Sequence, residues 1–265
     1  NSFRLKVFDK INNTKNIHEL IFKIYDHLIF DLIGKDNMFV GRYDSVVDIK
    51  RVVLEFGIIL AIIGPEKPLA FGLADILREY IYVVGPNKNL AKIESSKLWA
   101  RKFIRGVGLE MYNPDFILID SIDEEKSVSK CNVFLKRNKG KVAIKLDGLE
   151  GGKGVRVWGR DFITFEECWD ICYNYIRKKR KFVLEECLNG VEFSLISLSD
   201  GVSNVHFPPI VDYKPVLDGN KGANTGSMGA ILDRNGLQFL DKDILREAEE
   251  VNRKVLEELK FMLNE

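Results

Sequence analysis

Ala143-Ile144-Lys145-Leu146-Asp147-Gly148-Leu149-Glu150-Gly151-Gly152-Lys153-Gly154-Val155 is the stretch on which the fold turns. A strand expected at Val142 to Lys145 delivers the first lysine. A loop with four glycines in seven residues follows and carries Lys153, and a second strand is expected at Val155 to Trp158. Glycine lets backbone N–H groups turn toward an anion without a Cβ in the way, and the two lysines supply the charge that phosphate oxygens demand. No Gly-Lys-Ser/Thr opens a helix here, so the spacing is not that of a Walker A loop. A hairpin turn with solvent-facing lysines has the same composition, and the stretch alone leaves both readings open.

Downstream, Val183-Leu184-Glu185-Glu186-Cys187-Leu188-Asn189-Gly190-Val191-Glu192 ends a strand in two glutamates and adds a third after Gly190. An adenine needs a backbone donor and acceptor in an apolar slot, and a ribose needs a carboxylate to accept from its hydroxyls. Taken alone, the segment fits an ordinary charged hairpin better. A third segment, Asp212-Tyr213-Lys214 and then Asp218 to Ala230 with Asn224-Thr225-Gly226-Ser227-Met228-Gly229, is dense in glycine and polar residues. Long loops of this kind are functional or disordered, and an ordered substrate loop is the expectation.

Around these segments the pattern alternates between helix and strand. An amphipathic helix is expected from about Asn16 to Phe30 and another over Asp48 to Phe56. The continuous apolar run Ile58 to Ile63, stopped by Gly64-Pro65, has the form of a buried parallel strand. A helix over Leu69 to Tyr80 and a strand at Ile81 to Val84 complete a βαβ unit with a right-handed crossover. Helices are expected at Asn89–Ile93, Ser96–Arg105 and Ile122–Leu135, with a strand at Phe116–Ile119. Thr164-Phe165-Glu166-Glu167 has the form of a capping box opening a helix to Lys179. Strands follow at Phe182–Glu186 and Glu192–Leu198, with a turn at Asp200-Gly201, and a charged helix spans Asp241 to Leu263.

With 265 residues, 46% hydrophobic and 30% charged, the chain has the composition of a globular protein. Its 40 basic and 39 acidic side chains give a formal charge of +1, which argues against a nucleic-acid partner. The run Arg177 to Lys181 reads as a solvated helix end that complements the helix dipole. No apolar run approaches the ~18 residues of a membrane span, so no membrane partner is expected. Cys131, Cys168, Cys172 and Cys187 lack disulfide or metal spacing and point to core or surface thiols in a reduced, cytoplasmic setting.

Taken with Ile63-Gly64-Pro65-Glu66-Lys67-Pro68-Leu69, Val84-Gly85-Pro86 and Glu94-Ser95-Ser96-Lys97, the three segments resemble, in order and spacing, the phosphoribosylamine–glycine ligases of the ATP-grasp superfamily. The resemblance runs from about Val46 to the end of the sequence, and Asp147 to Gly159 is closer to archaeal members. It implies an α/β (α+β) ATP-grasp fold. The expected parts are a reduced βαβ domain (1–108), a small lid domain (109–188) and the first part of the large catalytic domain (189–265).

The resemblance also implies roles. Lys97 and Lys145 would hold the ATP α- and β-phosphates, and Gly151, Gly152, Lys153 and Gly154 would fold over the triphosphate. Glu185, Glu186 and the backbone near Cys187 and Leu188 would meet the adenine, and Glu192 the ribose. Gly64, Pro65, Glu66, Asp212, Lys214, Asn224, Thr225 and Gly226 would face glycine and 5-phosphoribosylamine, with Lys145, Lys153 and Lys214 as the catalytic cations. The implied reaction makes a glycyl phosphate from ATP and glycine, then joins it to the amine, in a monomer or weak homo-oligomer. Departures accompany it. Residues 1–40 lack the family's Gly-rich Arg-Glu-His turn, and Pro215 stands where the family has Arg, which removes a cation and fixes φ. The Glu and Asn that bind Mg²⁺ (or Mn²⁺) in the family are expected on a strand beyond Glu265, so no metal ligand is assigned. The alternative is an ATP-binding or regulatory homologue without turnover, and a plainer one is an α/β interaction protein.

Overall fold

The computed structural model describes residues 41–42, 45–150, 154–219, 221–233 and 236–262. The chain divides into two compact units, residues 1–61 and 62–265. In the first, Ser45 caps helix α1 (Val46–Glu55), its Oγ accepting from the Asp48 N–H at 3.3 Å. The helix expected at 16–30 lies outside the described residues.

Strand β1 (Leu60–Ile62) crosses into the second unit. There the Ile63 N–H donates to the carbonyl of Val84, at the end of β2 (Tyr82–Val84), at 3.1 Å. Two features differ from expectation. The apolar run is not buried throughout: Ile63 and Val83 pack against Leu69, Ala74 and Ala91, while Ile62 points the other way and is 75% exposed. Strand alternation is the cause, because successive side chains take opposite faces. The helix expected over 69–80 is two helices, α2 (Glu66–Phe71) and α3 (Leu73–Leu77). Gly72 breaks them with φ 91°, a left-handed cap whose N–H returns to the Leu69 carbonyl.

After the short helix α4 (Lys92–Ser95), Ser96 caps α5 (Lys97–Gly106). A four-stranded sheet then forms from β3 (Phe116–Ile119), β4 (Val142–Leu146), β5 (Val155–Val157) and β6 (Phe182–Glu186), in the order β3-β6-β4-β5, with every pair antiparallel. Helices α6 (Glu124–Arg137) and α7 (Phe165–Arg177) share one core with it. Phe134, Leu135, Cys168, Cys172 and Ile176 from the helices meet Val142, Ile144, Phe182 and Leu184 from the strands. Burying one such aliphatic or aromatic side chain contributes about 2 kcal/mol, so this layer is the anchor of the unit. The Thr164 capping box is present, with Thr164 Oγ1 accepting from the Glu167 N–H and the Glu167 carboxylate accepting from the Thr164 N–H. Cys131, Cys168 and Cys172 are free and buried, and Cys187 is free and half-buried. Contacts with the other two sulfurs and burial push the Cys172 thiol well above its usual range.

The remaining residues form antiparallel ladders. In place of one strand over 192–198, Ser194 exchanges both backbone hydrogen bonds with Ile210 (2.7 and 2.9 Å), and β7 (Ser197–Ser199) pairs with β8 (Asn204–His206) across the Asp200-Gly201 turn. Strand β9 (Ile210–Asp212) pairs with β12 (Ala230–Leu232). The glycine-rich segment is more regular than the loop expected from its composition: β10 (Pro215–Leu217) pairs with β11 (Lys221–Asn224). Gly222 makes this possible at φ 83°, where a Cβ would stand 2.9 Å from Val216 Cγ1. Helix α8 (Lys242–Phe261) is tied to the ladder by Asn252, whose Nδ2 donates to the Leu195 carbonyl (3.0 Å) and Ser197 Oγ (2.8 Å). Among the described residues no helix is long and apolar enough to cross a membrane.

Candidate functional site

Strand β4 alternates Val142, Ile144 and Leu146 into the helical core with Ala143 and Lys145 on the opposite face. On β6, Glu185 lies directly across from Ala143 and diagonal to Lys145, within reach of a long side chain. Lys145 Nζ is 2.6 Å from Glu185 Oε2. Arg101, from α5, puts Nε 2.6 Å from Oε1. Glu185 is only 2% exposed. Burial alone would raise its carboxyl, but the Arg101 hydrogen bond and the charge and hydrogen bond of Lys145 outweigh that and hold it below the usual carboxylate range. Arg101 is itself fixed, with Nη1 donating to Asn113 Oδ1 (3.0 Å) while Asn113 Nδ2 donates to the Arg101 carbonyl (3.2 Å).

The loop after Lys145 is anchored at both ends. The Leu146 N–H donates to the Gly154 carbonyl at 2.8 Å, closing a hairpin between β4 and β5. Asp147 accepts from Ser96 Oγ (3.0 Å) and the Leu98 N–H (3.1 Å), and Lys97 Nζ donates to the Gly148 carbonyl at 2.9 Å. Glu150 pairs with Arg180, so one member of the basic run braces the loop while α7 ends at Arg177 as the helix-end reading expects. At Gly154 a Cβ would lie 2.7 and 2.8 Å from Glu150 Cβ and Cγ. Gly151, Gly152 and Lys153 lie outside the described residues. A hairpin it is, yet Lys145 is held at Glu185 instead of facing solvent freely.

Beyond β6 the segment expected to meet the adenine is partly engaged within the fold. Glu186 Oε1 accepts from the Asp115 N–H (2.8 Å), and the Cys187 N–H donates to the Lys141 carbonyl (3.3 Å), so both are used within the fold. Leu188 is exposed at 70%. Glu192 joins a second cluster: Lys214 Nζ lies 3.6 Å from Glu192 Oε1 and 3.7 Å from Asp212 Oδ2. The other oxygen, Asp212 Oδ1, is buried without a partner among the described residues. Thr225 is docked on Lys214, its N–H and Oγ1 both donating to the Lys214 carbonyl (2.7 and 2.9 Å). Asn224 Oδ1 accepts from Arg160 Nη1 (3.2 Å), which links the β5 side to the glycine-rich hairpin. Gly226 lies in the bend before β12. Gly64, Pro65 and Glu66 open α2, and among the described residues no recorded ion pair or side-chain hydrogen bond joins them to these clusters.

Sequence reading missed Ser96, Arg101, Asn113, Asp147 and Arg160. One signal was available: Arg101 follows Lys97 by one helical turn, so both occupy one face of α5.

An antiparallel sheet backed by two helices, with a lysine on the strand that enters a glycine hairpin, is the build of the ATP-grasp proteins, and this chain is one of them. Residues 95–262 match the ATP-grasp (A) domain of phosphoribosylglycinamide synthetase and residues 10–94 match its N domain. The chain belongs to the phosphoribosylglycinamide synthetase family. It is 39% identical over 194 residues to a phosphoribosylamine–glycine ligase of Methanosarcina barkeri, covering 72% of this chain and 43% of that protein. The crystal structure of phosphoribosylamine–glycine ligase from Thermotoga maritima superposes with a TM-score of 0.60 at 26% identity, over 76% of this chain and 47% of that one. An N5-carboxyaminoimidazole ribonucleotide synthetase solved as an ADP complex shares the fold, with a TM-score of 0.55 at 15% identity over 84% of this chain and 52% of that one. The chain thus spans less than half the length of the relative from Methanosarcina barkeri.

Proposed function

We propose that the chain binds ATP at the β4–β5 hairpin and serves the ligation of glycine to 5-phosphoribosylamine, the step that forms glycinamide ribonucleotide in purine biosynthesis. The observation that carries this reading is the convergence on one hairpin of Lys145, poised on a buried carboxylate, and Lys97, bonded to the Gly148 carbonyl. Both ammonium groups would be available to polyphosphate oxygens, with the exposed Leu188 segment as the adenine edge. Glu192, Asp212, Lys214, Asn224 and Thr225 would serve the ribose and the two substrates. The buried, unpartnered Asp212 Oδ1 supports this assignment, because a buried acceptor is costly until a donor reaches it, and both substrates carry an amine. The division into a βαβ part to 108, a lid over 109–188 and a catalytic part from 189 belongs to the same proposal. The free, buried cysteines accord with a reducing, cytoplasmic setting.

The chemistry balances in two steps. A glycine carboxylate oxygen attacks the γ-phosphorus and the bond to the β-phosphate oxygen breaks, leaving ADP and an acyl phosphate. The amine nitrogen of phosphoribosylamine then attacks the acyl carbon, phosphate departs, and the amine gives up a proton. The chain's own contribution is to position these groups and to offset charge with Lys97, Lys145 and Lys214. A closed hairpin would also keep water from the acyl phosphate. Among the described residues no group of three or more His, Cys, Asp or Glu side chains could hold a metal ion. No step above runs through the Mg²⁺ or Mn²⁺ of the family resemblance, which nucleotide enzymes hold with one or two carboxylates and the substrate phosphates.

ADP release that requires both glycine and phosphoribosylamine is the test. Release that does not depend on glycine would point to another ligase of the same superfamily. A second reading is an ATP-binding homologue without turnover. Tight ATP binding with no ADP release under any substrate pair would favour it.

A further inference from the structure

Arg101 reaches Glu185 from α5, and the charges around it define a task. Resting on the nucleotide role of Lys145, we propose that Arg101 is a positioning residue, the standing counter-ion of Glu185 that leaves the Lys145 charge available to a phosphate. Glu185 is buried to 2% exposure, with Arg101 and Lys145 each 2.6 Å from one of its oxygens. The trio carries two positive charges against one negative, which leaves one positive charge for a ligand. Without Arg101 the remaining Lys145–Glu185 pair is neutral. A phosphate that draws on the same ammonium then leaves a buried carboxylate short of a partner, a costly state. The carboxylate would relieve it by taking a proton from solvent.

Among the described residues, the charged groups that meet Glu185 are Arg101 from α5 and Lys145 from β4. From β3, its cross-strand partner is the apolar Phe116, whose ring is covered by Arg105 at 4.2 Å. Asn113 holds Arg101 by two hydrogen bonds, so the guanidinium keeps its place when Lys145 turns to a ligand.

The test is calorimetric titration of ATP into the full chain between pH 7 and 8.5, in buffers of different ionisation heat. Comparing variants against wild type cancels the protons that ATP itself exchanges. Arg101→Met should take up about one more proton per ATP bound than wild type, so its affinity relative to wild type should fall by about tenfold per pH unit. Arg101→Lys should restore the wild-type proton count. Arg101→Met combined with Glu185→Gln should bind without the extra proton, since no carboxyl is left to take it. Where circular dichroism shows that Arg101→Met has lost its fold, Arg101→Gln carries the same expectation. A folded Arg101→Met or Arg101→Gln with the wild-type proton count overturns the inference alone. A wild-type chain that binds no ATP overturns the nucleotide reading and this inference with it.

Discussion

Gly154→Ala tests whether the hairpin after Lys145 is shaped for a ligand. Gly154 needs no unusual φ, so the perturbation is purely steric. The new Cβ would stand 2.7 Å from Glu150 Cβ, 2.8 Å from Glu150 Cγ and 3.2 Å from Leu146 Cβ. Neither Glu150 atom is the free end of a side chain, so the backbone of the loop must give way. Overpacking of this kind costs about 1–3 kcal/mol where the surroundings are rigid. Here Asp147 to Glu150 are only half-buried while Leu146 belongs to the core, so the loop moves and the sheet stays. The expected loss of stability is therefore at the low end, about 1 kcal/mol, or roughly 2–4 °C in Tm for a chain of this size. The larger effect should fall on the ligand. Displacing Glu150 loosens its pair with Arg180 and shifts the Gly148 carbonyl that orients Lys97. Losing one charge-assisted contact to phosphate costs about 1.5–3 kcal/mol, which weakens ATP by roughly 10- to 100-fold. Calorimetric titration with ATP, beside a thermal melt of the same sample, separates the two effects. An Ala variant with wild-type affinity and a large fall in Tm would refute the reasoning, since the glycine would then serve the fold and not the ligand.

Removing the ammonium outright, with Lys145→Ala, should weaken ATP by about 10- to 100-fold by the same contact energy, read by the same titration. Melting temperature against pH tests Glu185. Its carboxyl is held below the ordinary value by Arg101 and Lys145 against the opposing effect of burial, so its stabilisation is present above the unfolded value of about 4.3. That contribution is lost as pH falls through the folded value; wild type should therefore lose Tm between pH 5 and 3 faster than Glu185→Gln, and parallel curves would contradict the assignment. Thr164→Ala removes the capping oxygen of α7 and should cost about 1 kcal/mol, seen as a few degrees of Tm with ATP affinity unchanged.

The parts of the fold that could be read beforehand are those written locally. The alternation in Val142-Ala143-Ile144-Lys145-Leu146 and the continuous Phe182-Val183-Leu184 run each predict a strand, and both strands stand where expected. Thr164 and Glu167 announce a helix start because a capping box is satisfied within one turn. What escaped was either hidden by composition or non-local. The β10–β11 pairing was masked by the glycines and polar residues of Asp218 to Gly229, which dilute any period-two pattern. The break at Gly72 was lost because the apolar spacing runs on across it, and only the backbone angle of 91° reveals the cap.

The site divides in the same way, and the division says what each method can find. Lys145, Glu185 and Lys97 could be named because each sits in a short motif that resembles a family. That Arg101 completes the arrangement depends on a helix and a strand 84 positions apart meeting at one carboxylate. The same holds for Ser96 and Asp147, 51 positions apart. No local periodicity encodes such pairs, since the spacing is set by how α5 lies on the outer face of the sheet. A motif lists the groups that would touch a ligand, while the charge balance that lets them do so depends on residues outside it. A buried carboxylate between two cations, on the sheet face away from the core, is a state that folding alone has little reason to prefer over an apolar residue. Its presence beside the glycine hairpin therefore argues for a ligand more strongly than the glycines do.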